Sequence, residues 1–229
     1  MISKIKKDIM KYIFRIAFIC LLVLTYSCNK ETIVDTPTQV GISKVAYYPS
    51  IKINGDKFVS ITEGNAFNDP GATALLNGDT IKYTTSMNIT ATTAPGVYTI
   101  NYTATSPDGS NSDQRIAVVV PASVVVDPVI IANDYSGTYL RPATGITSTW
   151  TKLSTGVYTV ENPGGSSGVG LLVVATNYSA NNIQIPVQNS PYFGGVVSST
   201  ATTYNPPGTY TWVYFAPGYG TGPRTFVKQ

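Results

Sequence analysis

Between Ile51 and Val120 the chain never runs far before meeting residues that force it to turn. Asn54-Gly55-Asp56, Glu63-Gly64-Asn65, Asp69-Pro70-Gly71, Asn77-Gly78-Asp79, Ala94-Pro95-Gly96 and Pro107-Asp108-Gly109 follow one another at short intervals. Glycine supplies positive φ, proline fixes φ, and Asn or Asp bonds its own backbone, so each group is a turn with a mechanism. The stretches left between them suit strands better than helices. Regularly spaced short strands joined by tight turns predict a β-sandwich.

The strand runs support this. From Val97 to Ala104, Tyr98, Ile100, Tyr102 and Ala104 fall on one face and Val97, Thr99, Asn101 and Thr103 on the other, because side chains alternate along a strand. The first face is expected to be core. Ile116, Val118 and Val120 are expected to repeat this face in the closing strand, and Val59 and Ile61 near the start.

Several ordered motifs carry a family resemblance. Ile51-Lys52-Ile53-Asn54-Gly55-Asp56, Glu63 to Ala72, Ala94 to Ala104, Asp108-Gly109 and Arg115 to Val120 together resemble a bacterial immunoglobulin-like domain of surface proteins. The resemblance implies a spacer or adhesion-type module over residues 43–121, with Pro-Gly-Val-Tyr-Thr setting a turn and the strand after it. Residues 122–129 read as a short stiff linker.

Residues 130–229 are richer in Gly and aromatic residues. Strands are expected at 137–141, 147–153, 156–161, 169–175, 182–187, 195–200, 210–216 and 224–228, separated by Asn162-Pro163-Gly164-Gly165, Asn181-Asn182, Pro206-Pro207-Gly208 and Gly218 to Pro223. That makes a second antiparallel β-domain, a barrel or a sandwich; periodicity does not choose between them. The whole chain therefore reads as all-β. Tyr135 to Tyr139, Ser148 to Leu153, Gly156 to Val160, Ile183 to Gln188 and Gly218 to Phe226 resemble the carboxy-terminal domain of small lipoproteins encoded beside glycan importers of the starch-utilisation type. The resemblance implies a setting at the cell surface, with glycan and outer-membrane importer components as the expected partners.

The amino end is a targeting signal. Lys4, Lys6, Lys7, Lys11 and Arg15 precede an apolar run from Ile16 to Leu24, then Thr25-Tyr26-Ser27-Cys28. This is the charged, apolar, small-residue order of a secretory signal over residues 1–27, starting at Met1 or Met10. The apolar run is too short for a membrane span, which needs roughly 20 residues. The segment resembles a lipobox, with Thr25 where the strictest form has Leu, which makes Cys28 the lipidated residue and residues 28–42 a polar tether. Lys30-Glu31 resembles a short signal for surface display. The expected location is the outer membrane, lipid-anchored and facing outwards.

Composition narrows the chemistry. Only 12 % of residues are charged, and the net charge of +3 owes much to the five basic residues of the signal. No basic stripe is left to displace counterions from phosphates, so nucleic acid is not an expected partner. His is absent, which removes the usual general base, the common triads and most zinc sites. Between Ile130 and Gln229 the only carboxylates are Asp134 and Glu161, both at turn positions, so no catalytic residue and no cofactor is expected. Asp108, Asn111 and Asp113 offer hard oxygen ligands, but their order is not that of an EF-hand, and no metal is expected.

Aromatic residues give the binding expectation. Sugar C–H faces stack on flat rings while hydroxyls bond amides and charged groups at the edge. Trp150, Tyr192, Trp212, Tyr214, Tyr219 and Arg224 are the candidate ligand contacts. The expected function is a non-catalytic glycan-binding accessory of a polysaccharide uptake system. The alternative is a structural or adhesion lipoprotein with a protein partner.

Overall fold

The computed structural model describes residues 45–167, 171–190 and 192–229, with the backbone of two short strands ahead of them. These, β1 (Gln39–Val40) and β2 (Ser43–Lys44), pair antiparallel, the first in the stretch expected to be tether and the second just past its expected end at residue 42. Cys28 and residues 1–27 lie outside the described residues. Tyr47–Gln229 form one compact unit, in which no described helix is long and apolar enough to cross a membrane.

The first domain of that unit is a sandwich of two sheets. One holds β3 (Ser50–Ile53), β5 (Ala72–Leu76) and β6 (Asp79–Thr80). The other runs β4 (Phe58–Thr62), β9 (Gly109–Val120), β8 (Gly96–Ser106) and β7 (Tyr83–Thr85), with β4 parallel to β9 and the other pairs antiparallel. The expected core face of β8 is found: Ile100, Tyr102 and Ala104 are fully buried and Tyr98 packs beside them, as Val59 does with the buried Ile61. Arg115 is buried in the same layer. Its guanidinium pairs with Asp69 at 3.3 Å, donates to the Asn54 carbonyl at 2.6 Å and lies over the rings of Phe67 and Tyr102, so the buried charge has a carboxylate partner, while its Nε has no hydrogen bond among the described residues.

The loop carboxylates have a structural use. Asp108 Oδ2 accepts from Tyr47 N at 2.8 Å, Asn111 Nδ2 donates to the Pro49 carbonyl at 3.2 Å, and Asp113 Oδ2 accepts from Ile53 N at 2.9 Å. These three side chains, one in the turn before β9 and two in β9, bond the backbone of the segment carrying β3 and satisfy its polar groups. No cluster suited to a metal ion occurs among the described residues.

One expectation is overturned in β9. Ile116, Val118 and Val120 do not face the core of the sandwich; Ala117 and Val119 do. Ile116, Val118 and Val120 point the other way, with Phe58 and Val97, and meet Val157 and Val174 of the second domain. The strand is buried on both faces because it lies between two cores. A continuous apolar run, Ile116 to Val120, is the pattern such a strand requires.

Residues 122–132 form two short helices, α1 (Ala122–Val125) and α2 (Pro128–Ala132). Asp127 caps α2, accepting from Val129 N at 2.8 Å, with Pro128 at the first helical position, where no amide donor is needed. Val124 and Ile130 point inwards and complete the shared core. Gly156, at φ +70°, lies against them: a Cβ there would meet Val124 Cγ1 at 3.0 Å, Ile130 Cγ2 at 3.1 Å and the Asn177 carbonyl at 2.6 Å. Ser154 Oγ donates to Ser60 Oγ at 2.6 Å across the same junction.

The second domain is a nearly closed antiparallel sheet. Its eight strands are β10 (Gly137–Arg141), β11 (Ile146–Ser154), β12 (Val157–Glu161), β13 (Leu172–Ser179), β14 (Asn182–Gln184), β17 (Thr202–Thr203), β18 (Thr209–Trp212) and β20 (Arg224–Lys228), in the order β17-β14-β13-β12-β11-β10-β20-β18. The two end strands are joined by a short loop bridged at Asn205 and Thr209. A small sheet of β15 (Gln188–Ser190), β16 (Gly195–Ser199) and β19 (Tyr214–Phe215) sits beside it. The run expected as one strand over 210–216 is thus two, because the chain leaves the large sheet after Trp212 and joins the small one at Tyr214.

The core of this domain is aromatic: Tyr135, Tyr139, Trp150, Tyr158, Tyr210, Trp212, Tyr214 and Phe226 are all buried. Burial pushes the hydroxyls of Tyr135 and Tyr158 up from 10 to about 12, and those of Tyr139, Tyr210 and Tyr214 further up. Because the folded values lie above the unfolded one, the stability these groups contribute is complete below pH 10 and is lost as pH rises through 12. The expected result is flat stability up to about pH 10, then unfolding together with the rise in tyrosinate absorbance. Tyrosines ionising near pH 10 in a chain that stays folded would contradict it.

Candidate functional site

The junction of the two domains leaves a cleft of about 150 Å³, lined by Lys57, Phe58, Gln114 and Ile116 from the first domain and Leu172, Gln188, Asn189 and Tyr192 from the second. Register explains the first set. Phe58 opposes Ile116 across the parallel pair, and Ile116 N donates to the Lys57 carbonyl at 2.8 Å. Gln114 lies two residues before Ile116 on the same face of β9, just beyond the shared core.

Gln188 builds the other wall. Its Oε1 accepts from Val174 N at 2.9 Å and its Nε2 donates to the Val174 carbonyl at 2.7 Å. One side-chain amide thereby takes the place of a strand partner and pins β15 to β13. Asn189, next along, opposes Val196 and faces solvent. The turn from β15 to β16 then carries Tyr192, whose ring is 55 % exposed and leans edge-on against Phe193 at 5.3 Å.

Four polar side chains therefore line the cleft: Lys57, Gln114, Asn189 and Tyr192. None of these side-chain groups has a hydrogen bond or ion pair within the described residues. Phe58, Ile116 and Leu172 supply the apolar part of its walls. A recess that combines apolar wall with polar side chains has the elements of a binding site. At this volume it holds one ring or a chain end, since sites for larger ligands run to roughly 300–1,000 Å³.

Of the six ligand contacts expected from sequence, the structure brings only Tyr192 to this cleft. Trp150 is 2 % exposed and Trp212 1 %, and they stack on each other at 5.6 Å between centroids. Their indole N–H groups are satisfied inside, Trp150 by Tyr210 Oη at 2.9 Å and Trp212 by the Pro163 carbonyl at 3.1 Å, which is what allows such rings to be enclosed. Tyr214 is fully buried. These three cannot offer a face to a sugar, and the expectation that they do is corrected.

Tyr219 and Arg224 hold a loop. The Tyr219 ring lies on Gly164, where any Cβ would collide with it, and its hydroxyl meets Ser166 Oγ at 2.5 Å. Arg224 is buried, stacks over that ring at 5.2 Å, and donates to the carbonyls of Tyr214, Gly220 and Gly222. A guanidinium spent on loop carbonyls is a fastening and not a free ligand contact.

Asp134 is also a turn residue. Its carboxylate accepts from Ser136 N at 2.9 Å, and that hydrogen bond holds it below the usual carboxylate range. A general acid needs the opposite shift.

Sequence comparison bears on the first domain. Residues 51–120 match the family model for the Ig-like domain of bacterial surface proteins. The Ig-like match begins inside β3 and ends at the last residue of β9, so it spans the two-sheet sandwich. Among solved structures, a lipoprotein from Bacteroides thetaiotaomicron aligns with 79 % of this chain and all of its own, at 21 % identity and a TM-score of 0.39. No match is found among curated proteins.

Proposed function

We propose that the chain is a non-catalytic surface lipoprotein, lipidated at Cys28, that holds a glycan in the cleft between its Ig-like domain and its second β-domain. The observation that carries the reading is that an exposed ring, Tyr192, lines the same cleft as Lys57, Gln114 and Asn189, whose side chains make no hydrogen bond or ion pair within the described residues. A ring face takes sugar C–H groups, and amides both donate to and accept from hydroxyls. The aromatic content of the second domain no longer contributes, because most of it is core.

The Ig-like domain fits the part of a stand-off. The compact unit starts at Tyr47, bonded to Asp108 in the turn between β8 and β9, and passes to the second domain after Val120. The twelve residues of β9 cover roughly 40 Å at about 3.4 Å each. Work beside a glycan importer in the outer membrane is the finer form of the proposal, supported by the resemblance of residues 130–229.

Binding of a polysaccharide panel to the full chain, by affinity electrophoresis and calorimetry, tests the reading. Tyr192→Ala is expected to weaken binding by about tenfold or more while leaving the melting temperature within about 2 °C, because an exposed ring contributes little to stability. No binding across the panel, or binding indifferent to Tyr192, sinks the proposal. A protein-binding role has its own observation: Val126, Val129 and Ile131 on the α1–α2 connector are 73 %, 51 % and 50 % exposed, and adjoining exposed apolar residues mark contact surfaces. A stable protein complex from membranes, with no dependence on glycan, would favour it.

A further inference from the structure

We infer that the glycan taken by the cleft carries an anionic group, a uronate carboxylate or a sulfate ester, and that Lys57 is the residue that selects for it. The inference rests on the proposal that the cleft binds a glycan. Its basis is the charge of the lining. Lys57 is the one ionised side chain among the eight described residues of the cleft; the rest are amides, a tyrosine and apolar groups.

The nearby carboxylates are directed elsewhere. Asp113 precedes Gln114 on β9, so it lies on the opposite face, where it accepts from Ile53 N. Asp56 precedes Lys57 in the turn but does not line the cleft, and neither do Asp134 and Glu161 of the second domain. Lys57 therefore lines the recess with no ion pair within the described residues.

A cation in a recess whose lining holds no carboxylate gives a neutral sugar hydrogen bonds in which only the donor is charged, and an anionic sugar bonds in which donor and acceptor are both charged. The ammonium acts as a point charge on a flexible stem, so carboxylate and sulfate are equally suitable. Gln114 and Asn189 supply hydroxyl contacts that both kinds of sugar use. Selectivity between charged and neutral glycans should then reside in Lys57, and binding of either in Tyr192.

The test compares dextran with dextran sulfate, and methyl-esterified with de-esterified polygalacturonate, on the full chain and on Lys57→Gln, Tyr192→Ala and a control, Lys82→Gln, at an exposed lysine outside the cleft. The expected result is tighter binding of at least one charged member than of its neutral partner. Lys57→Gln should remove that difference by about ten- to a hundredfold, with Lys82→Gln unchanged. Which charged member responds separates sulfate from carboxylate. Equal binding of charged and neutral members, or a preference that survives Lys57→Gln or is lost equally in Lys82→Gln, overturns the inference and leaves the glycan reading intact. Binding of neither, or binding unaffected by Tyr192→Ala, overturns both.

Discussion

Val118→Asp is expected to unfold both β-domains together and to lower the melting temperature of the full chain by roughly 8–16 °C. Val118 is fully buried, not in the core of the Ig-like sandwich but in the layer it shares with Val124, Ile130, Val157 and Val174. A carboxylate there has no partner, and burial of an unpaired charge is among the few single changes that cost about 4 kcal/mol or more. For a body of this size each kcal/mol moves the midpoint by about 2–4 °C. Thermal unfolding followed separately by far-ultraviolet and by tryptophan signals reads the outcome, since both tryptophans lie in the second domain. A variant in which the tryptophan transition stays where it was would show that the shared layer does not couple the halves.

The second large effect separates core from site. Trp150→Ala removes a ring packed among Tyr139, Tyr158, Tyr210 and Trp212, and it strips Tyr210 Oη of its donor. The expected loss is about 3–5 kcal/mol in urea unfolding. The fraction that remains folded should bind glycan as the parent does. Tyr192→Ala is the mirror case, with little change in stability and lost binding. If Trp150→Ala abolished binding in the folded protein without loss of stability, the ring would be acting as a sugar platform, and its place in the core would not describe its role.

Much of the fold was legible from residue patterns. Turn chemistry at Asn54-Gly55, Asp69-Pro70-Gly71 and Pro107-Asp108-Gly109 marked the strands of the first domain, and alternation along Val97 to Ala104 gave the correct core face. The strand spacing of the second domain was also readable, although alternation did not distinguish a nearly closed sheet from a sandwich. The face of β9 was misjudged because alternation assumes one core. Ile116 to Val120 is apolar at every position, and that signal, read alone, points to burial on both sides.

The site was much less legible, for a physical reason. Trp150 and Trp212 have the composition of a sugar platform, yet each finds an acceptor indoors, at Tyr210 and Pro163, and no single-sequence pattern reveals that. Lys57, Gln114 and Asn189 look like ordinary solvated positions in the chain. They become a group only because β4, β9 and β15 meet across a domain junction, which neither domain's sequence encodes by itself. Of the six expected contacts Tyr192 alone lines the cleft, exposed in a Gly-containing turn where a ring has little to pack against.

The central claim is that the two β-domains are one cooperative body and that the ligand cleft exists because they are joined. Scanning calorimetry of the full chain tests this most directly. A single transition for Tyr47–Gln229, with calorimetric and van't Hoff enthalpies equal, is the predicted result. Two resolved transitions, one for each β-domain, would contradict it, because a junction that melts before its domains cannot hold Lys57, Gln114, Asn189 and Tyr192 around one ligand.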